Sequence, residues 1–241
     1  SVSVDVSGLT EVTGVHVHDG GIGMNGPVAF PLTDAGNGTY VLAETTISPS
    51  NLDALTSGEW YLNVHTTANP SGEVRGQIVP DTTAVVTFSL SGSQEVPAVD
   101  TMAMGSGYAL FDTTNNNVSL VAVTTIDNAT MAHIHTGFAG VNGPVLEALV
   151  ESEETAGVWM TDGSLMLDEA TATQLLSGGH YVNVHTAGNT SGEIRGQITP
   201  DNIEVYGIVA DGLQEVPAVT TTASGAGAFT LNTSTGALSG S

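Results

Sequence analysis

The sequence predicts an all-β protein built from tandem antiparallel units, each with one short helix. Three observations point there. Gly, Thr, Val, Ser and Asn are abundant along the chain, the makeup of short strands joined by turns. Apolar and polar residues alternate with period two over many short stretches, as in Val2-Ser-Val-Asp-Val6. The third is a repeat: Tyr61-Leu-Asn-Val-His65-Thr66 followed by Ser71-Gly-Glu-Val-Arg75-Gly-Gln-Ile78 returns 120 residues later as Tyr181-Val-Asn-Val-His185-Thr186 and Ser191-Gly-Glu-Ile-Arg195-Gly-Gln-Ile198.

Taken in order, residues 2–6 read as a strand that turns at Gly8. Val15-His16-Val17-His18 is the next strand, with the valines on one face and the histidines on the other, ended by Asp19-Gly-Gly21. The loop from Gly23 to Val28 leads into Val28–Leu32, and Gly36-Asn-Gly38 turns the chain towards Tyr40–Leu42. Ser48-Pro49, with Leu52 and Leu55 behind it and Gly58 beyond, predicts a short capped helix. Trp60–His65 and Glu73–Val79 are strands about the turn at 68–72, and Pro80-Asp81 marks a boundary.

From Val85 a new set begins: Val85–Leu90, the Gln94–Val99 segment, Gly107–Phe111 and Ser119–Val123, the last two joined by an Asn115-Asn-Asn117 hairpin. Ala132-His-Ile-His135 then matches the first histidine strand, Val141-Asn-Gly-Pro-Val145 the loop, and Asp168–Gly179 a longer helix with an Asp cap and a Gly stop. Gln214-Glu-Val-Pro-Ala-Val219 copies residues 94–99, and Phe229–Leu238 copies the entry to the hairpin. The expected organisation is therefore the last two thirds of a repeat at 1–81, a complete repeat at 82–200 and the first third of another at 201–241. By these offsets Ser1 falls opposite Val118 and Ser241 opposite Val121, so the two partial repeats complement each other.

Composition narrows the function. Twenty-five Asp and Glu face two basic residues, Arg75 and Arg195, for a net charge of −23, which argues against nucleic acid or an anionic membrane as partner and suits cations. The 40% hydrophobic content argues against a disordered acidic tail. There is no cysteine, so disulfides and thiolate metal sites are excluded, and no apolar run is long enough for a membrane span. Ser1 does not read as a native start, and a lysine-free acidic chain suggests an extracellular or cell-surface setting in salty water.

Six of the seven histidines form two matching trios, His16, His18, His65 and His133, His135, His185. Two imidazoles at i and i+2 of one strand, joined by a third from a neighbouring strand, make a three-nitrogen metal site. With no thiolate, and no methionine counted near the trio, Cu(II) is favoured and Zn(II) possible, about one ion per completed domain. His180 stands where the first repeat has Trp60 and reads as incidental. Each arginine is expected to pair with a carboxylate, Glu95 or Glu215, in a structural role. No Asp-x-Asp-x-Asp calcium loop, nucleotide loop or nucleophile triad is present, and the Asn25-Gly-Pro27 and Asn142-Gly-Pro144 loops read as turns.

Leu90-Ser-Gly-Ser-Gln-Glu-Val-Pro97, Ala132-His-Ile-His135, Gly140-Val-Asn-Gly-Pro-Val145, Tyr181-Val-Asn-Val-His-Thr186 and Gly192-Glu-Ile-Arg-Gly-Gln-Ile198 together resemble the CHRD domain, the chordin-type repeat. The resemblance implies an all-β sandwich, and the family has no general catalytic assignment. The Greek key expected is Ig-like or Cu/Zn superoxide dismutase-like, the latter by analogy, since the His-x-His spacing on a β-sandwich also looks like the copper half of that enzyme. The expected function is an extracellular structural protein, not an enzyme. Identical subunits would join head to tail in a homopolymer filament, or the chain would be part of a tandem array, with metal bound in each domain. The alternatives are a copper-dependent redox enzyme of superoxide dismutase-like type and a secreted protein-binding module.

Overall fold

A computed structural model describes residues 1–240; Ser241, the end of the expected third segment, lies outside the described residues. Among the described residues the fold is all-β and antiparallel, with two short α-helices. Its chain divides into two compact units, Ser1–Thr83 and the residues from Ala84 onward.

The first unit contains β1 (Val2–Asp5), β2 (Val12–Asp19), β3 (Val28–Pro31), β4 (Thr33–Gly36), β5 (Thr39–Leu42), helix α1 (Pro49–Thr56), β6 (Trp60–Thr66) and β7 (Val74–Ile78). One sheet runs β3-β2-β6-β7 and the other β1-β5-β4. Alternation along β2 sends Val15 and Val17 into the core, where they meet Leu32, Trp60 and Val64, and turns His16 and His18 to the opposite face. The helix starts as expected: the Ser48 hydroxyl accepts the Asn51 N–H, Pro49 occupies the first turn, and Gly58 follows at φ +72°.

The second unit contains β8 (Thr83–Ser91), β9 (Met104–Asp112), β10 (Asn117–Thr124), β11 (Ala129–Thr136), β12 (Val145–Glu151), β13 (Val158–Met160), β14 (Leu165–Met166), helix α2 (Glu169–Leu176), β15 (His180–Thr186) and β16 (Ile194–Ile198). Its strands follow the order β13-β12-β11-β15-β16-β8-β9-β10, and β10 also pairs with β13, so the sheet closes on itself. The sandwich implied by the family resemblance is thus a closed, barrel-like sheet. The β16–β8 join is a single pair, Arg195 opposite Ser91. Twenty buried apolar residues form the core here, against five in the first unit. Strand β1 of the first unit, paired with β5, matches β10, paired with β13; among the described residues the first unit has no counterparts of β8 and β9, whose Val86, Phe88, Leu90, Ala109 and Phe111 contribute much of that larger core.

Two local expectations are corrected. Helix α2 is no longer than α1; each spans eight residues, because the chain turns at Gly178 (φ +74°) as it does at Gly58. The Gln94–Val99 segment is not a strand: a 3-10 turn at Gly92–Gln94 leads into a bend held by the Val99 N–H donating to the Gly92 oxygen. The last strands, β17 (Ile203–Asp211), β18 (Ser224–Asn232) and β19 (Leu238–Gly240), form a separate three-stranded sheet with the pairing of β8, β9 and β10. Among the described residues no helix is long and apolar enough to cross a membrane.

Candidate metal centre

Antiparallel pairing builds the site. In the second unit β11 runs beside β15 so that His133 lies opposite Asn183, His135 opposite Tyr181 and Met131 opposite His185. Because Ala132, Ile134, Val182 and Val184 point into the core, the other set shares one outer face. The first unit repeats the register, with His16 opposite Asn63, His18 opposite Tyr61 and Gly14 opposite His65. Both trios expected from the sequence are therefore assembled, with one ligand atom of each histidine within 4.8 Å of the other two. Two nitrogens on opposite sides of one ion would be about 4 Å apart at the usual bond length, so small ring rotations bring three onto a single metal.

Second contacts fix which nitrogen faces inward. His135 Nδ1 donates to the Gly143 oxygen (3.0 Å) and His185 Nδ1 to the Thr190 oxygen (3.1 Å), which leaves their Nε2 atoms to face the centre. In the first unit His18 Nδ1 bonds Gly26 O (2.9 Å) and His65 Nδ1 bonds Pro70 O (3.0 Å). The remaining member joins through the other nitrogen: His133 Nδ1 is 3.0 Å from His185 Nε2. His16 Nδ1, His18 Nε2, His65 Nε2 and His135 Nε2 are buried without a hydrogen-bond partner among the described residues. Buried acceptors left open in this way are costly unless something fills them, and a cation does so.

Electrostatics favours the metal-binding form of four of the six rings. Burial is the first cause holding His16, His133, His135 and His185 below the ordinary histidine range. Neighbouring imidazoles add to this for His16, His135 and His185, while the carbonyl bonds of His135 and His185 oppose it. Neutral imidazole with a free lone pair is the species that ligates.

The outer residues form a stack the sequence reading missed. Tyr181 lies flat on His135, centroids 4.9 Å apart, and Arg195 covers the other face of Tyr181 with Cζ at 3.4 Å. The same stack of Arg75, Tyr61 and His18 has centroid distances of 3.4 and 4.9 Å. Position parity, Tyr181 four residues before His185 on one strand face, was the available signal. Arg195 spends its donors on the Val141 and Phe138 oxygens at 3.0 and 2.9 Å, not on a carboxylate, so the expected ion pair with Glu95 is replaced by a clamp on the Asn-Gly-Pro loop. Arg75 likewise bonds the Met24 and Gly21 oxygens. Those loops do more than turn the chain, since they supply the carbonyls that orient His18 and His135. A Cβ on Gly143 would overlap the Thr136 carbonyl oxygen, so only glycine lets the loop pack this close.

Three further residues complete the picture. Glu95 is buried beside Asn183, whose side-chain amide donates to it at 3.4 Å; burial pushes its carboxyl up to about 7, opposed by the charge of Arg195. His180 is fully buried and its pKa falls to about 4 for the same reason, outside either trio. Met131 stands on the trio face, contrary to the expectation that no methionine lies near it.

Searches of curated proteins and of solved structures give no match. The family model described as CHRD domain matches residues 1–78 and 86–198, which includes all six histidines of the two trios. Register, loops and histidine trios recur in both units of a chain that belongs to the CHRD domain family.

Proposed function

We propose that this chain is one link of an extracellular structural array, non-catalytic, in which the β17-β18-β19 sheet of one copy completes residues 1–81 of a second copy and each completed domain holds one copper ion. A contrast between two glycines carries the reading. A Cβ at Gly196 of β16 would stand 2.6 Å from the Ser89 oxygen of β8 and 2.9 Å from Leu90; at Gly76, its counterpart in β7, nothing among the described residues lies within 4 Å. Strand β7 is therefore the bare edge of its sheet where β16 is covered.

The cover exists elsewhere in the same chain. Val86 and Phe88 of β8 are 3% and 7% exposed, while Tyr206 and Ile208, their counterparts in β17, are 42% and 48% exposed. Open edges and apolar faces of this kind favour association. Seating β17 on β7 of another copy repeats without closure and gives a filament.

Copper is preferred to zinc because divalent copper binds nitrogen sites more tightly. A surface without lysine, at net charge −23, fits an extracellular setting in which salt screens repulsion between copies.

The test is the native material. Filaments that dissociate in denaturant to chains of 24.4 kDa support joining by strand exchange, and a much larger denatured mass refutes it in favour of a covalent array. Elemental analysis beside a His133→Ala, His135→Ala, His185→Ala variant tests the metal. Equal copper and zinc in both proteins would end that part of the proposal.

A further inference from the structure

The two trios are alike in their histidines and differ in what stands next to them. Met131 pairs directly with His185 across β11 and β15, on the same face as His133 and His135. Directly opposed residues of an antiparallel pair have Cβ atoms roughly 5 Å apart, within reach of an unbranched thioether. Met131 is 47% exposed and lies outside the core cluster, so it does not serve apolar packing.

In the first unit the same place is Gly14, opposite His65, after an irregularity in the pairing that recurs just before Met131. A Cβ built on Gly14 would stand 3.0 Å from Cε1 and 3.2 Å from Nε2 of His16. A side chain at this position therefore begins against the trio itself.

We propose that the Met131 thioether is a fourth ligand of the metal site in the second unit, whereas Gly14 leaves that position open in the first, so one chain carries two unequal copper sites. The proposal rests on the reading that the trios hold copper. Three imidazoles with a soft sulfur favour Cu(I) over Cu(II) more than three imidazoles alone. The second site is then suited to hold copper in either oxidation state, and the first keeps a position for water.

The experiment uses the full chain with the first trio removed by His16→Ala, His18→Ala and His65→Ala, loaded anaerobically with Cu(I) and separately with Cu(II). X-ray absorption should show a sulfur neighbour of Cu(I). Adding Met131→Leu should remove it and weaken Cu(I) binding at least tenfold, with Cu(II) binding changed less. Met131 is half-exposed, so this variant keeps the fold, checked by circular dichroism. In the complementary protein, with the second trio removed, Gly14→Met should introduce the sulfur neighbour. Copper bound with no sulfur neighbour, and with Cu(I) preference unchanged by Met131→Leu, overturns the Met131 assignment alone. Failure to bind copper in either state overturns it together with the trio reading.

Discussion

Replacing Ile208 by Asp should abolish association between copies while leaving the single chain folded. In the complete domain the counterpart Phe88 is 7% exposed, and Ile208 is 48% exposed, so docking would remove most of its remaining apolar surface. Half of a full isoleucine burial is worth about 1 kcal/mol. A carboxylate in its place adds an unpaired charge at a dry contact, a penalty of roughly 3 kcal/mol after partial neutralisation. Together these come to about 4 kcal/mol, on the order of a thousandfold in the association constant. The control is Val209→Asp, which adds the same charge one residue on. Val209 is 70% exposed, and its counterpart Ser89 faces solvent in the complete domain, so this variant should assemble nearly as the parent does. Sedimentation velocity over a concentration series reads both. Equal assembly of the Ile208→Asp and parent proteins, or equal loss in the two variants, would refute the seating of β17 on β7.

Two further predictions separate the complete unit from the open one and test its buried acid. Gly196→Ala places a Cβ against the Ser89 carbonyl and should cost about 1–3 kcal/mol, seen as a lower Tm of the second unit, whereas Gly76→Ala leaves the free chain's melting unchanged but weakens association. Glu95 has a folded pKa of about 7 against an ordinary 4.5, so folding takes up a proton in this window. Its favourable contribution is complete below pH 4.5 and is lost as pH rises through 7. Glu95→Gln should therefore stabilise the chain at pH 8 by on the order of 1–2 kcal/mol and do little at pH 4, as read by urea titration.

Much of this was legible in the sequence because period-two alternation and an internal repeat are local signals. The valines around His16 and His18 fixed the face of the imidazoles, and the same pattern at His133 and His135 gave the second trio. The capped helices were equally clear from Ser48 and Asp168. What escaped depends on register between strands far apart in the chain. Only the β11–β15 pairing sets Tyr181 on His135 and Met131 beside His185. Charge alone suggests a carboxylate partner for Arg195, but its donors reach loop carbonyls more than fifty residues away, which no local pattern encodes. Closure of the sheet through β10 and β13 is likewise a property of the assembled strands.

The placement of the two arginines has a consequence for how the chain meets a protease. With no lysine, a trypsin-type protease has only the bonds after Arg75 and Arg195 to attack in the whole chain. Each arginine is pinned across a tyrosine ring within a strand, and Arg195 is 1% exposed. To be cut there, the domain must first open, so digestion of the second unit would proceed at the rate of its unfolding when cleavage outruns reclosing. The clamp that positions an imidazole also hides one of the two residues by which a basic-specific protease would recognise the chain as food.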